Sequence, residues 1–106
     1  MRQDKVLSML GLAGRAGKVE SGEFCTERAV KSGHAACVIV AMDSSEPTKK
    51  MFRNMCTYYK VPLYFYSEKA ELGHAIGRES RASVAVTDAG FAGQIGLRIE
   101  EQKGRE

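Results

Sequence analysis

Near the start of the chain, apolar residues fall at Val6, Leu7, Met9, Leu10 and Ala13, which is one broad face of an amphipathic helix. The pattern predicts a helix over about 4–14, ending within 14–17, where glycine can take a positive φ. Residues 18–21 read as a short extended piece, and Gly22 as a break. A second helix fits 23–32, with Glu27 and Lys31 as a favourable i,i+4 pair and Gly33 as its stop. The segment 36–42 is a continuous apolar run rich in β-branched residues, the signature of a strand buried on both faces at the centre of a sheet. Asp43, Ser44 and Ser45 make a turn, and Pro47 suits the first turn of a third helix that continues to about Tyr59. Residues 61–66 (VPLYFY) form the next strand, with Pro62 near its start, where a missing N–H is tolerated. Ser67 is placed to cap a short helix over 69–76, which Gly77 ends. A polar loop at 78–81, a strand at 82–87 (ASVAVT) and a helix at about 91–101 complete the pattern.

Helices and strands alternate throughout, which argues for one mixed or parallel sheet covered by helices on both faces. With 106 residues and neither linker nor repeat, the expectation is a single domain over 1–106. Two prolines, eleven glycines and no low-complexity tract exclude a fibrous or disordered chain. No run approaches 18 apolar residues, so a membrane-spanning helix is not expected. The apolar stretch behind Arg2 and Lys5 has some features of a signal peptide. Asp4 inside it, and Arg15 and Lys18 directly after it, favour a packed helix instead.

Charge sharpens the picture modestly. Sixteen Lys and Arg against thirteen Asp and Glu give +3, a balance that permits a nucleic-acid partner without requiring one. Residues 1–18 carry four bases and one acid; residues 49–60 carry four bases and no acid and read as a solvated helix face. Three cysteines with no CxxC spacing do not make a disulfide framework and point to a reducing cytoplasm. The glycines from Gly11 to Lys18 fail the phosphate-loop spacing, because Leu12 and Val19 stand where glycine and Ser/Thr are needed. Gly14-Arg15-Ala16-Gly17 does match the clamp of single-strand binders, as do Gly90 with Gly93 and Gly93 with Gly96. His34 and Cys37 lack a second metal-ligand pair, Cys37 reads as a small core residue, and His74 lacks a catalytic context. No nucleophile, base and orienting acid share a recognisable local signature, so neither an enzymatic role nor a cofactor nor a metal is expected.

The stretch from Gly22 through Arg28-Ala29-Val30-Lys31-Ser32-Gly33, the run CVIVAMD with Ser44-Ser45-Glu46-Pro47, and YYKVP at 58–62 resemble kink-turn RNA-binding ribosomal proteins. So do Glu71-Leu72-Gly73-His74-Ala75-Ile76-Gly77 and the closing ASVAVTD. This is the superfamily of the archaeal "L-seven-Ae" and eukaryotic "L-thirty-e" proteins, and the match runs in order along nearly the whole chain. LGLAGRAGKVESGE and TDAGFA are similar to its bacterial YlxQ branch. The resemblance implies an α/β/α sandwich around a four-stranded mixed sheet. It also implies an RNA site on two neighbouring loops, one between the first strand and second helix, the other between the fourth helix and last strand. In the archaeal proteins the first loop reads Gly-x-Asn-Glu, with a lysine three residues on. Here Gly22 and Arg28 align with the glycine and lysine, while Phe24 and Cys25 stand in place of the Asn and Glu. Glu23 could substitute only through a shift of register.

The residues themselves support such a site. Gly22 opens a helix, whose free N–H groups and positive dipole end favour phosphate. Phe24, Arg28 and Lys31 fall on one helical stripe, an aromatic leading into two bases, suited to base stacking and phosphate contact. The competing reading buries Phe24 in the core and leaves the bases solvated. Under the resemblance, the first segment supplies Lys18, Ser21, Gly22, Glu23, Phe24, Arg28 and Lys31, and the second supplies Arg78, Ser80, Arg81 and Ala82. The expected function is that of a monomeric, cytoplasmic, non-enzymatic protein that binds structured ribosomal or regulatory RNA in translation. It would have no membrane association and no small-molecule substrate. The alternatives are a protein-interaction module that has lost RNA binding, or a single-strand binder through Gly14 and Gly17.

Overall fold

Residues 4–103 are described by a computed structural model. The order along them is α1 (Lys5–Arg15), β1 (Val19–Ser21), α2 (Glu23–Lys31), β2 (Cys37–Val40), α3 (Glu46–Tyr59), β3 (Leu63–Phe65), α4 (Lys69–Ala75), β4 (Ser83–Val86) and α5 (Ala89–Lys103). The strands form one sheet in the order β1-β4-β2-β3. β4 runs antiparallel to both β1 and β2, and β3 runs parallel to β2, so the sheet is mixed.

The apolar runs of the two central strands are divided between the faces by the alternation of side chains along a strand. Cys37, Ile39, Ala41, Val84 and Val86 point to one side, where they meet Val6 and Leu10 of α1, Leu72 of α4 and Ile95 and Ile99 of α5. Val38, Val40 and Ala85 point to the other, against Ala29 and Val30 of α2 and Phe52 and Cys56 of α3. The result is a three-layer α/β/α sandwich. Full burial of each Val, Leu, Ile or Phe contributes about 1.5–3 kcal/mol, which is why the uninterrupted apolar stretches sit at the centre and the shorter edge strands β1 and β3 are only half-buried.

Several boundaries follow local chemistry. Asp4 Oδ1 caps α1 by accepting from Leu7 N at 2.9 Å, and its Oδ2 accepts from the Tyr66 hydroxyl at 2.7 Å. Ser45 Oγ caps α3, with Pro47 in the first turn. β2, β3 and β4 are shorter than the runs that predict them, and two helix N-termini differ from the sequence expectation. Ser67 is not the cap of α4: it lies at φ 63°, and the Lys69 amide is satisfied by Asp43 Oδ1, 2.9 Å away and 26 residues earlier. The last helix begins at Ala89 rather than 91 because Asp88 Oδ2 accepts from Phe91 N at 2.9 Å.

Candidate nucleic-acid interface

The antiparallel pairing of β1 with β4 sets Ser21 opposite Val84, so the chain leaving β1 runs beside the chain entering β4. The β1–α2 junction and the α4–β4 loop are neighbours for that reason, although about sixty residues separate them in sequence. Gly22 N donates to Ser83 O at 3.0 Å. Arg81 Nε donates to Ser21 Oγ at 3.1 Å, and its Nη1 donates to Ser80 O at 2.8 Å. Beneath them the buried Ser83 hydroxyl donates to Thr26 Oγ1 at 3.2 Å. Ala82 O accepts from Ala41 N and from the Ser44 hydroxyl, which ties the turn after β2 to the same end of the sheet. The α4–β4 loop folds back tightly on α4: a Cβ at Gly73 would lie 2.7 Å from Ser80 N and 2.8 Å from the Glu79 carbonyl.

Gly22 has φ 92° and ψ 158°, a conformation that essentially only glycine adopts without strain. It is the cap position of α2, and no side chain satisfies the first-turn amides there. The contrast with α3, capped by Ser45, and α4, served by Asp43, leaves the start of α2 as the open N-terminus at this end of the sheet. Unpaired N–H groups and the positive end of the helix dipole favour an anion at that point.

Phe24 projects from this first turn and is 74% exposed, because Thr26, Ala29 and Val30 supply the buried side of α2. The core reading of Phe24 is thereby overturned. The Arg28 guanidinium lies 5.5 Å from the Phe24 ring centroid and 3.8 Å from the Glu20 carboxylate. Lys31 donates to Glu27 at 2.9 Å and is more basic than an ordinary lysine, through that hydrogen bond first and the Glu27 charge second.

Ser21, Gly22, Glu23 and Phe24 thus come together with Ser80, Arg81 and Ala82. Arg78 adjoins this group through Arg81, with which it lines a shallow depression of about 590 Å³ together with His74, Gly77 and Glu79. Lys18 and Lys31 are placed elsewhere. Lys18 sits at the opposite end of the β1/β4 ladder, where its carbonyl accepts from Thr87 N, and Lys31 ends α2. His74, in the last turn of α4, is the lining residue that sequence reasoning had not placed with this loop. Arg81 is better described as a brace between the loops than as a free cation.

Other readings lose their footing. Gly14 belongs to the last turn of α1, and a Cβ there would lie 3.4 Å from Ile76 Cγ2; Gly17, at φ 73°, simply turns the chain toward β1. Gly93 and Gly96 lie inside α5. None of these GxxG segments forms an open loop able to clamp a strand. Cys37 and Cys56 are buried, and burial pushes their thiols up to about 12 and about 11, far from any nucleophilic role. Among the described residues, no group of three or more His, Cys, Asp or Glu could hold a metal ion, and no helix is long and apolar enough to cross a membrane.

Residues 4–95 match the Ribosomal protein L7Ae/L30e/S12e/Gadd45 family. The "RNA-binding protein YlxQ" of Bacillus subtilis (strain 168) is 44% identical over 87 residues, covering 82% of this chain and 87% of that protein. The "Large ribosomal subunit protein eL8" of Thermoplasma volcanium is 31% identical over 87 residues, 81% of this chain and 72% of the other. Among solved structures, a Bacillus halodurans protein described as of unknown function superposes with a TM-score of 0.90 at 36% identity, over 92% of this chain and 99% of that one. The Giardia lamblia 15.5kD RNA binding protein shares the fold at a TM-score of 0.77 and 16% identity, over 98% and 92%.

Proposed function

The chain belongs to the Ribosomal protein L7Ae/L30e/S12e/Gadd45 family, and on that premise we propose that it binds structured RNA of the kink-turn type, without catalysis. The observation that carries this reading is the seam between β1 and β4. It joins an open helix N-terminus to an arginine-bearing loop, with Phe24 and Arg28 exposed beside them. In the proposed complex a phosphate sits at the start of α2, where amides and dipole converge. The Phe24 ring stacks on an extruded base, and Arg28 reaches a neighbouring phosphate. Phe24 can neither donate nor accept the hydrogen bonds that the Asn of the archaeal pattern would make. Recognition therefore rests on RNA shape, backbone amides and Glu23 accepting from a guanine edge. Arg81 holds the second loop in place through Ser21, and Arg78 meets the backbone beyond it.

The partner in this proposal is ribosomal or regulatory RNA, bound by a cytoplasmic monomer. A titration over a range of salt concentrations tests it, using a kink-turn RNA beside the same helix with its tandem G·A pairs replaced by Watson–Crick pairs. Tighter binding to the kink-turn at every salt concentration is expected. Equal binding would reduce the reading to general RNA affinity. Binding to neither would favour the protein-interaction module, the second reading that Phe24 and Cys25 in place of Asn and Glu support.

A further inference from the structure

The kink site leaves unused the strongest charge asymmetry in the chain. Residues 47–67 contain Lys49, Lys50, Arg53 and Lys60 and no Asp or Glu, so these four bases exceed the formal charge of the whole protein, +3. A merely solvated helix face mixes the two signs, and α2 and α5 do so: Lys31 pairs with Glu27, Arg98 with Glu101 and Lys103 with Glu100. On α3 only Lys49 has such a partner, Glu46 at 3.5 Å in the first turn. Among the described residues, Lys50, Arg53 and Lys60 form no ion pair.

Their placement is ordered. Phe52 and Cys56 take the core side of α3, which turns Lys50, Arg53, Asn54 and Tyr58 outward. The Arg53 guanidinium rests 5.4 Å from the Phe65 ring centroid. Tyr58 is 78% exposed and stands edge-on to Tyr59 at 4.9 Å, an aromatic rim with nothing covering it. α2 and α3 pack side by side on the same face of the sheet, and Tyr59 lies near enough to Lys31 to influence it. The stripe of Phe24, Arg28 and Lys31 therefore continues onto α3. From Lys50 to Lys60 the helix rises about 15 Å, a row of cations suited to successive phosphates rather than to one acidic side chain.

We propose that the outer face of α3 is a second RNA-contact surface. It takes the phosphate backbone of a double-helical stem flanking the kink, through Lys50, Arg53 and Lys60, with the Tyr58 hydroxyl donating at the rim. This rests on the kink-turn reading above, and the test separates the two. Affinity and its salt dependence are measured for one kink-turn RNA with minimal stems and one with an extended stem. The protein is compared with a triple variant, Lys50→Gln, Arg53→Gln and Lys60→Asn; Asn suits the left-handed φ of 59° at residue 60. Melting curves check that the variant is folded. The unmodified protein should prefer the extended stem by about tenfold or more, with a salt slope steeper by about 2–3 in log–log units, as expected for three phosphate contacts. The variant should lose that preference and keep its affinity for the minimal RNA.

If the unmodified protein binds both RNAs equally, or the variant keeps the preference, the α3 surface is wrong and the kink site stands. An equal loss on both RNAs would place α3 on the kink itself and overturn the stem assignment. Binding to neither RNA would sink the kink-turn reading and this inference with it. Polyglutamate is the second probe: a matching α3-dependent affinity for it would assign the face to an acidic polypeptide instead.

Discussion

Phe24 is a large ring held in water at the first turn of α2, and little of the fold depends on it. Phe24→Ala should shift stability by no more than about 0.5 kcal/mol, as for other surface substitutions. It should weaken kink-turn binding by about 1–3 kcal/mol, the worth of one stacked base. Phe24→Asn should retain that binding or tighten it, since it restores the amide of the archaeal pattern. Melting and RNA titration on the two variants check both statements, and a stability loss of several kcal/mol would return the ring to the core. Arg28→Ala should likewise leave the melting temperature unchanged and weaken binding by about 1–3 kcal/mol, the range for a charged hydrogen bond. Unchanged affinity in that folded variant would remove Arg28 from the site. What could be read at this scale was spacing: the positions of Phe24, Arg28 and Lys31 already define one stripe. Whether the stripe faced solvent depended on Thr26, Ala29 and Val30 filling the other side, and helix periodicity alone does not say which side a sheet will cover. The bracing role of Arg81 was hidden for a stronger reason, because its partner Ser21 lies sixty residues away.

At the scale of elements, two glycines should behave in opposite ways. A Cβ at Gly73 meets the backbone of Glu79 and Ser80 at 2.7–2.8 Å, and backbone cannot swing aside as a side chain can. Gly73→Ala should destabilise by about 1–3 kcal/mol, as overpacked sites do, and should shift the loop that carries Arg78 and Arg81. RNA affinity should fall although no RNA-facing side chain has changed. Gly93, on the exposed side of α5, has nothing within 4 Å of its would-be Cβ. Gly93→Ala should stabilise by up to about 1 kcal/mol through helix propensity. Differential scanning calorimetry on the pair reads both signs. The nine elements themselves were legible in chain order because apolar periodicity, Pro47 and the glycine stops are local signals. The α4 cap was not, since Asp43 reaches it across a tertiary contact. Asp88 was a local signal that was overlooked: a capping carboxylate directly after a strand. Strand order could not be read from periodicity at all, because the apolar runs of β2 and β4 say only that both are central.

For the molecule as a whole, the buried thiols set a limit at alkaline pH. Burial raises Cys37 from 9.0 to about 12 and Cys56 from 9.0 to about 11. In the unfolded chain both ionise near 9, whereas in the folded chain they stay protonated well above it. The unfolded state then binds fewer protons, so the stability these groups leave intact below pH 9 is lost between about pH 9 and 12. The slope is about 1.4 kcal/mol per pH unit for each thiol. Denaturant unfolding at pH 8 and at pH 10.5 should show the fall, and Cys37→Ala with Cys56→Ala should flatten it. A quite different consequence follows from the place of β1 at the edge of the sheet, where β4 is its one neighbour. During synthesis, at about 5–20 residues per second, roughly 3–12 s pass between the emergence of Ser21 and that of its partner Arg81. Through that interval the first half of the seam has nothing to close against. On the proposed reading, a nascent chain is therefore blind to RNA until nearly all of it has been made, and the site closes in one step, when the last strand slides between two that have been waiting for it.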